Sequence, residues 1–427
     1  MKMILFFCCM VLMSVQGYAQ EVLTLDECRD MALKNNKQAL LSGYAIEKAG
    51  LSMKAMRSNY LPKFSASGGY LYADKDFSMN LVPSVSASLN LNNTYFAGVQ
   101  LEQPVYMGGK IMAANKMSRI GFEIARLDKN RTDSEILLAV DEAYWDVVKA
   151  KELFAVAGKY KEAVEEVLRN VQNLYERGMV PMNNLLKIQV KRNDADLMLQ
   201  RAENAIRLSE MALCHIVGLP LESEINVSGK LNMDTDPIVK EELSVENRSE
   251  YRMLSKTIDL KGQEIKLIRS EFMPQIGLVA GYNYLNGIKM NGNKLLSDDV
   301  FAVMLAVKIP LFHWGEGKNK IKAARLEQCM AETRREELSD KIRLEVFHAA
   351  NIWKEAELEV HLTRTAYEEA EENLRESDRN YKTGMETLDN YLEAQVAWQK
   401  AWAEFVSAKA TWHVAESKYL KAIGKLN

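Results

Sequence analysis

Tyr175-Glu-Arg-Gly-Met-Val-Pro-Met-Asn-Asn-Leu-Leu-Lys-Ile-Gln-Val190 returns later in the same chain as Tyr381-Lys-Thr-Gly-Met-Glu-Thr-Leu-Asp-Asn-Tyr-Leu-Glu-Ala-Gln-Val396. Tyr, Gly-Met, Asn, Leu and Gln-Val recur at one spacing. The pairs Pro104/Pro310, Gly178/Gly384 and Gly218/Gly424 are each 206 residues apart, so a single offset holds from strand to chain end without insertion. Chance rarely gives such a run, and it marks an internal duplication. Upstream, Asn59-Tyr-Leu-Pro62 echoes Glu271-Phe-Met-Pro274 at an offset of 212, a difference absorbed by unequal hairpins. Each half therefore reads as helix, strand, strand, long helix, turn, helix. The expected boundaries are 20–218 for the first repeat, 219–244 for the linker and 245–427 for the second repeat.

The helices declare their period. From Ile136 a 3-4 pattern continues through Val140, Ala143, Val147, Ala150, Phe154, Ala157, Lys161, Val164, Leu168, Val171 and Tyr175, with Lys161 its one polar break. A seam of this length predicts a coiled coil. The last helix alternates rings with Ala: Tyr391, Ala394, Trp398, Ala401, Phe405, Ala408, Trp412, Ala415, Tyr419 and Ala422. Each ring can fill the hole above a facing Ala. A helix from about Gly109 to Arg177 would run on the order of 100 Å at 1.5 Å per residue, too long for a compact domain of this mass. An elongated molecule is expected. Two shorter helices open the halves, with capping boxes expected at Thr24-Leu-Asp-Glu27 and Asn247-Arg-Ser-Glu250.

Four segments break the helical period: Lys63 to Phe77, Thr94 to Pro104, Gln275 to Asn286 and Val300 to Ile309. The last alternates most clearly, with Phe301, Val303, Leu305, Val307 and Ile309 on one face. Strands of about 10 residues suit a tilted bilayer crossing. Alternation alone also fits a half-buried soluble sheet, but no apolar helix adjoins these hairpins to cover an outer face. Four strands cannot close a membrane barrel, and open edges are not tolerated in lipid. Several copies must then share one barrel.

The N-terminus sets the compartment. Lys2 precedes an apolar run from Ile4 to Val15 that ends at Gly17-Tyr18-Ala19, which predicts a signal peptide over 1–19 with cleavage before Gln20. No Cys stands at that first mature position, so no acyl anchor is expected. Three cysteines remain, Cys28, Cys214 and Cys329, an odd number that no internal pairing exhausts. Cys214 and Cys329 fall among apolar helical positions, where buried structural thiols are expected. The chain has 427 residues, 8 Pro, 26% charged residues and a net charge of −3. That balance gives no case for nucleic acid. The five histidines, His215, His313, His348, His361 and His413, are scattered without ligand spacing. Nucleophile elbows, phosphate loops and Cys-x-x-Cys are absent. No enzyme, metal or cofactor is expected.

The duplicated order resembles the TolC family of outer-membrane efflux proteins. The resemblance rests on Tyr175-x-x-Gly178 with Leu186-x-x-Gln189, on Tyr381-x-x-Gly384 with Leu392-Glu-Ala-Gln395, and on the Asn-Tyr-Leu-Pro, Gln103-Pro104 and Ile309-Pro310-Leu311-Phe312 boundaries. It implies a mainly α chain with a small β part. Its helices would build a coiled-coil barrel across the periplasm, and four strands per subunit would join a trimeric 12-stranded barrel in outer-membrane lipid. It also implies a periplasmic adaptor and an inner-membrane RND or ABC transporter as partners. Gly178, Met179, Gly384 and Met385 would lie at the periplasmic tip as adaptor contacts. Asp389, Asn390 and Glu393 would narrow the tunnel, although Asn390 departs from the acidic residue often found there. Arg177 and Lys187 would pair with these acids across helices. The rival reading, a periplasmic coiled-coil scaffold, shares the helices but not the membrane-length hairpins.

Overall fold

The computed structural model describes residues 22–75, 77–82, 85–229, 231, 244–290 and 293–426. The expected signal peptide and most of the expected linker lie outside them. Strand β1 (Val22–Leu23) leads into helices α1 (Leu25–Asn35) and α2 (Lys37–Arg57). Strands β2 (Lys63–Leu71), β3 (Phe77–Val82), β4 (Val85–Asn90) and β5 (Thr94–Met107) follow, then helices α3 (Lys110–Glu176) and α4 (Met182–Val217). After β6 (Asn226–Val227) the second half runs α5 (Ser249–Ser270), β7 (Gln275–Met290), β8 (Asn293–Lys308), α6 (Glu316–Lys382) and α7 (Leu388–Ala422). The two long helices are 67 residues each.

The helix ends repeat their backbone geometry at positions 206 residues apart. Gly178 and Gly384 share φ 75°, and Gly218 and Gly424 lie at 78° and 77°. After α3, the Gly178 N–H donates to Tyr175 O (2.8 Å) and Met179 N–H to Leu174 O (2.9 Å). After α6, Gly384 N–H donates to Tyr381 O (3.1 Å) and Met385 N–H to Asn380 O (2.9 Å). Both are Schellman closures, which need a left-handed residue that glycine supplies without a Cβ clash.

Packing divides the chain into two units. The first comprises the described parts of Met1–Tyr44, Asp128–Tyr251 and Glu337–Asn427. Its core holds most of the predicted seam: Val140, Val147, Val164 and Val171 are fully buried, whereas Phe154 and Tyr175 are exposed. The seam's break is satisfied, since Lys161 reaches Asp196 on α4 at 2.8 Å. Helix α7 lies between neighbours. Leu388, Tyr391 and Leu392 pack with Val164 and Val171 of α3 and Ile188 of α4. Further along, Ala408, Trp412, Ala415 and Tyr419 pack with Val346, Trp353 and Val360 of α6. Trp353 stacks on Tyr419 with centroids 5.2 Å apart.

The opening helix is pinned to this unit by charge. Arg29 of α1 grips the fully buried Asp141 of α3 through two bonds of 2.8 and 2.7 Å. The Thr24 capping box forms as expected. The one expected at Asn247 does not: α5 begins at Ser249, and Asn247 closes a 3₁₀ turn. Arg248 takes Glu250 instead (3.0 Å), along with Glu345 (3.3 Å), and caps Ala422 O (2.8 Å). Cys28 and Cys214 are buried in one core, and burial pushes the Cys28 thiol up to about 11. Cys329 corrects the expectation of a buried thiol, because it is exposed.

Burial also pushes the Glu416 carboxyl above its usual range; Asp141 adds to this and Arg29 opposes it. A carboxyl raised on folding favours the folded state below its unfolded pKa, and that stability is lost as pH rises through the folded pKa. Glu416→Gln is therefore expected to raise the melting temperature at neutral pH. The gain should shrink towards zero as pH falls to the ordinary carboxylate range of about 4.3. Thermal melts in detergent from acid to neutral pH check this.

The second unit comprises Ala45–Leu127 and Arg252–Glu336. Its sheet runs β2-β5-β7-β8, each neighbouring pair antiparallel. The four expected strands are present, longer than expected in β7 and β8. The first predicted strand stops at Leu71, and Phe77 opens an additional hairpin, β3–β4, which joins the tip of β7 at Leu89/Met290 and Asn90/Lys289. The two-residue parallel pairing of β1 with β6 was also outside the sequence reading. Among the described residues β2 and β8 each pair on one side only. Phe301, Val303, Leu305 and Val307 are all exposed.

Candidate functional site

The two reversals α3–α4 and α6–α7 carry the residues singled out as tip and constriction. Gly178 and Gly384 turn the chain, and Met179 and Met385 project beyond them, 68% and 81% exposed. Pro181 and Thr387 then start the returning helices, and the Thr387 hydroxyl accepts from Asn390 N–H (3.3 Å). Asn390 is thus placed in the first turn of α7, where its backbone takes part in the cap.

Asp389 is tied across to the other hairpin. Lys187 Nζ donates to its two carboxylate oxygens at 2.9 and 2.8 Å. Lys187, Val190, Lys191, Asp389, Leu392 and Glu393 line one cleft of about 460 Å³. The sequence expectation that Lys187 meets these acids is met at Asp389. Glu393 lines the same cleft. Arg177 lines a neighbouring one with Asn184, Tyr381 and Asp389, and among the described residues it makes no ion pair with either acid. An ion pair this exposed is weak and screened by salt, so it can be exchanged at small cost.

Two supports of this region were not read from the sequence. Tyr381 and Tyr391 stack face to face, with centroids at 5.1 Å and planes at 6°. Burial, aided by Asp378, pushes the Tyr391 phenol up to about 12. The Ser377 hydroxyl donates to Glu386 at 2.8 Å, fixing the turn to the helix before it. The recurrence of Tyr three residues before each Gly was the available signal, yet Tyr175 is exposed and only the second-half copy stacks.

The halves also differ in cover. On α4, Met182, Leu186, Val190, Leu197, Leu208 and Met211 are exposed. At 3.6 residues per turn they fall within about 80° of one another. Their counterparts 206 residues on are Leu388, Leu392, Val396, Ala403, Val414 and Ser417. Leu388, Leu392 and Ser417 are buried, and Ala403 and Val414 are half-buried. A second stripe, Leu344, Phe347, Leu358 and Leu362, is exposed on α6. It falls within about 60°.

No group of residues suited to hold a metal occurs among the described residues. Nor, among them, is any helix long and apolar enough to cross a membrane.

Comparison with known proteins gives one direction. The family model described as "Outer membrane efflux protein" matches residues 28–219 and 242–425. The outer membrane efflux protein BepC of Brucella suis is 20% identical, over 92% of this chain and 84% of its own. The proteases secretion protein PrtF of Dickeya chrysanthemi is 20% identical, over 98% and 91%. Among solved structures, the Campylobacter jejuni CmeC outer membrane channel superposes with a TM-score of 0.79 at 19% identity, covering 94% of this chain and 85% of that one.

Proposed function

The chain belongs to the outer membrane efflux protein family, and on that premise we propose that three copies close one duct leading outward from an inner-membrane pump. It is an outer-membrane channel protein and not an enzyme. The observation that carries the closed duct is the sheet: four membrane-length strands with free edges at β2 and β8. Unpaired backbone groups cost several kcal/mol each in lipid, so these edges require partners from other copies. Three copies would supply 12 strands. The unpartnered stripes on α4 and α6 support the same arrangement, since adjacent copies would bring one against the other.

In this reading the Gly178 and Gly384 turns form the periplasmic tip. Met179 and Met385 offer soft apolar contacts to an adaptor hairpin. Asp389 and Glu393 line the constriction, and the Lys187–Asp389 pair latches neighbouring hairpins. The partner is a periplasmic adaptor with an RND or ABC transporter. The relatives' own names divide between efflux and protease secretion.

Electron microscopy of the detergent-purified protein tests the duct: a three-fold cylinder over about 100 Å long, the scale of the helices, is expected. A monomeric particle, soluble without detergent, would overturn it in favour of a periplasmic scaffold. For the constriction, Asp389→Ala with Glu393→Ala is expected to raise single-channel conductance or weaken cation selectivity in planar bilayers. Unchanged currents would remove the constriction role.

A further inference from the structure

The duplication supplies a control inside the chain, because positions 206 apart occupy the same turn. Where the first hairpin passes into α3, the chain turns through Gly108 and Gly109, at φ 59° and 88°. Where the second passes into α6, the corresponding residues are Trp314 and Gly315, at φ 48° and 82°. The backbone is the same, yet a tryptophan stands where the first half uses glycine. A left-handed conformation suits glycine and is an outlier for a bulky side chain. Strain of this kind persists where the side chain has a use.

The surroundings indicate the use. At Gly108 an added Cβ would lie 2.5 Å from Met273 Cβ and 2.8 Å from Ser270 O, so that turn is closed over by its neighbours. At the second turn the side chains face outward. Leu311 and Trp314 are about nine-tenths exposed and Phe312 two-thirds. The Phe312 and Trp314 rings meet edge to face at 4.8 Å. Beneath them the corner is built firmly: His313 lies edge-on to Phe272 at 5.6 Å. Gly317 leaves room for that same ring, where a Cβ would sit 3.1 Å away. The Lys320–Glu316 pair, 2.7 Å, braces the first turn of α6. The result is a supported platform with three large apolar side chains on its outer side.

This platform continues the apolar face of β8, following directly on Val303, Leu305, Val307 and Ile309. In sequence Lys308 precedes it and Lys318 and Lys320 follow it, Lys320 being paired with Glu316. An indole with an apolar ring and one N–H at the end of a membrane strand matches the boundary between acyl chains and headgroups. We propose that the Leu311–Trp314 corner is a lipid anchor seated at headgroup level. The counterparts of Leu311 and Phe312, Val105 and Tyr106, are exposed as well, and the indole is what the second half adds. The proposal rests on the reading of β8 as a membrane strand.

The test uses the mature protein reconstituted in phosphatidylcholine–phosphatidylglycerol vesicles. The chain has six tryptophans, so the Trp314 signal is taken as the difference between the parent and Trp314→Phe. That difference is expected to be quenched several-fold more by lipids spin-labelled at the headgroup than by lipids labelled at the chain end. Trp314→Gly, which restores the first-half turn, should melt in detergent no lower than the parent. Quenching from water by acrylamide alone overturns the anchor, as does a Trp314 shielded from both water and lipid by an adjoining copy. A lower melting temperature for Trp314→Gly would make the ring a packing residue and also overturn it. If alkali strips the protein from the vesicles, the membrane reading fails first and the anchor with it. The channel reading survives the other failures.

Discussion

Leu186→Asp combined with Leu197→Asp is expected to convert the assembled particle into monomers of unchanged helicity. Both leucines lie on the exposed stripe of α4, where about half of each side chain is open to solvent. Burying a fully exposed leucine contributes about 1.5–3 kcal/mol, and with half of each still open the pair withdraws about 1.5–3 kcal/mol from each contact. That is about ten- to a hundredfold in dissociation constant, before the cost of placing a carboxylate in an apolar seam. The loss repeats at each contact around a ring. Light scattering coupled to size exclusion in detergent reads the mass directly. Leu186→Met with Leu197→Met preserves the apolar volume and should keep the full mass. Assembly that survives the aspartates would place the subunit contact elsewhere.

The second large effect concerns Asp141. Replacing it by Leu is expected to destabilise the first unit by about 3–5 kcal/mol, because Arg29 loses both bonds while remaining largely buried. Asp26, at 3.2 Å but exposed, is a poor substitute. The double change Arg29→Leu with Asp141→Leu should recover much of the loss, since a well-packed apolar pair avoids the desolvation of two charges. Thermal melts give the totals. Hydrogen exchange over residues 25–35 should show whether α1 opens first, as its anchoring by this pair implies. A single mutant as stable as the parent would mean that Asp141 does not hold α1.

Long-range order was legible where one physical signal repeated. The seam from Ile136 to Tyr175 fixed α3 because each a/d position repeats the same requirement, and Lys161 interrupts it without harm through Asp196. The strands β7 and β8 were readable because their alternation is strong. The β3–β4 hairpin was not: its strands are six residues each, carry Ser and Asn, and flank Pro83, so alternation and β-branching are both weak. The box expected at Asn247 was displaced because α5 begins at Ser249, with Arg248 binding Glu250 beside it and Glu345 on α6, the latter a tertiary contact no tetrapeptide reveals. At the tip, spacing located the turns and the Lys187–Asp389 pair. The Tyr381–Tyr391 stack escaped because the Tyr shared before each turn does not point to its partner, Tyr391, whose first-half counterpart is Leu185.

The sheet has a consequence of parity. The strands β2, β5, β7 and β8 alternate in direction, so β2 and β8, which among the described residues pair on one side only, point opposite ways. An even number of strands lets the last edge of one copy meet the first edge of the next in antiparallel sense, whatever the number of copies. Such head-to-tail edges carry no instruction to stop: they are equally consistent with a ring of any size or with an open ribbon. Counting is therefore not done by the strands. In the proposed assembly it falls to the angle at which the α4 and α6 stripes would meet, so that damage to helices outside the membrane would be read out as a barrel of the wrong circumference.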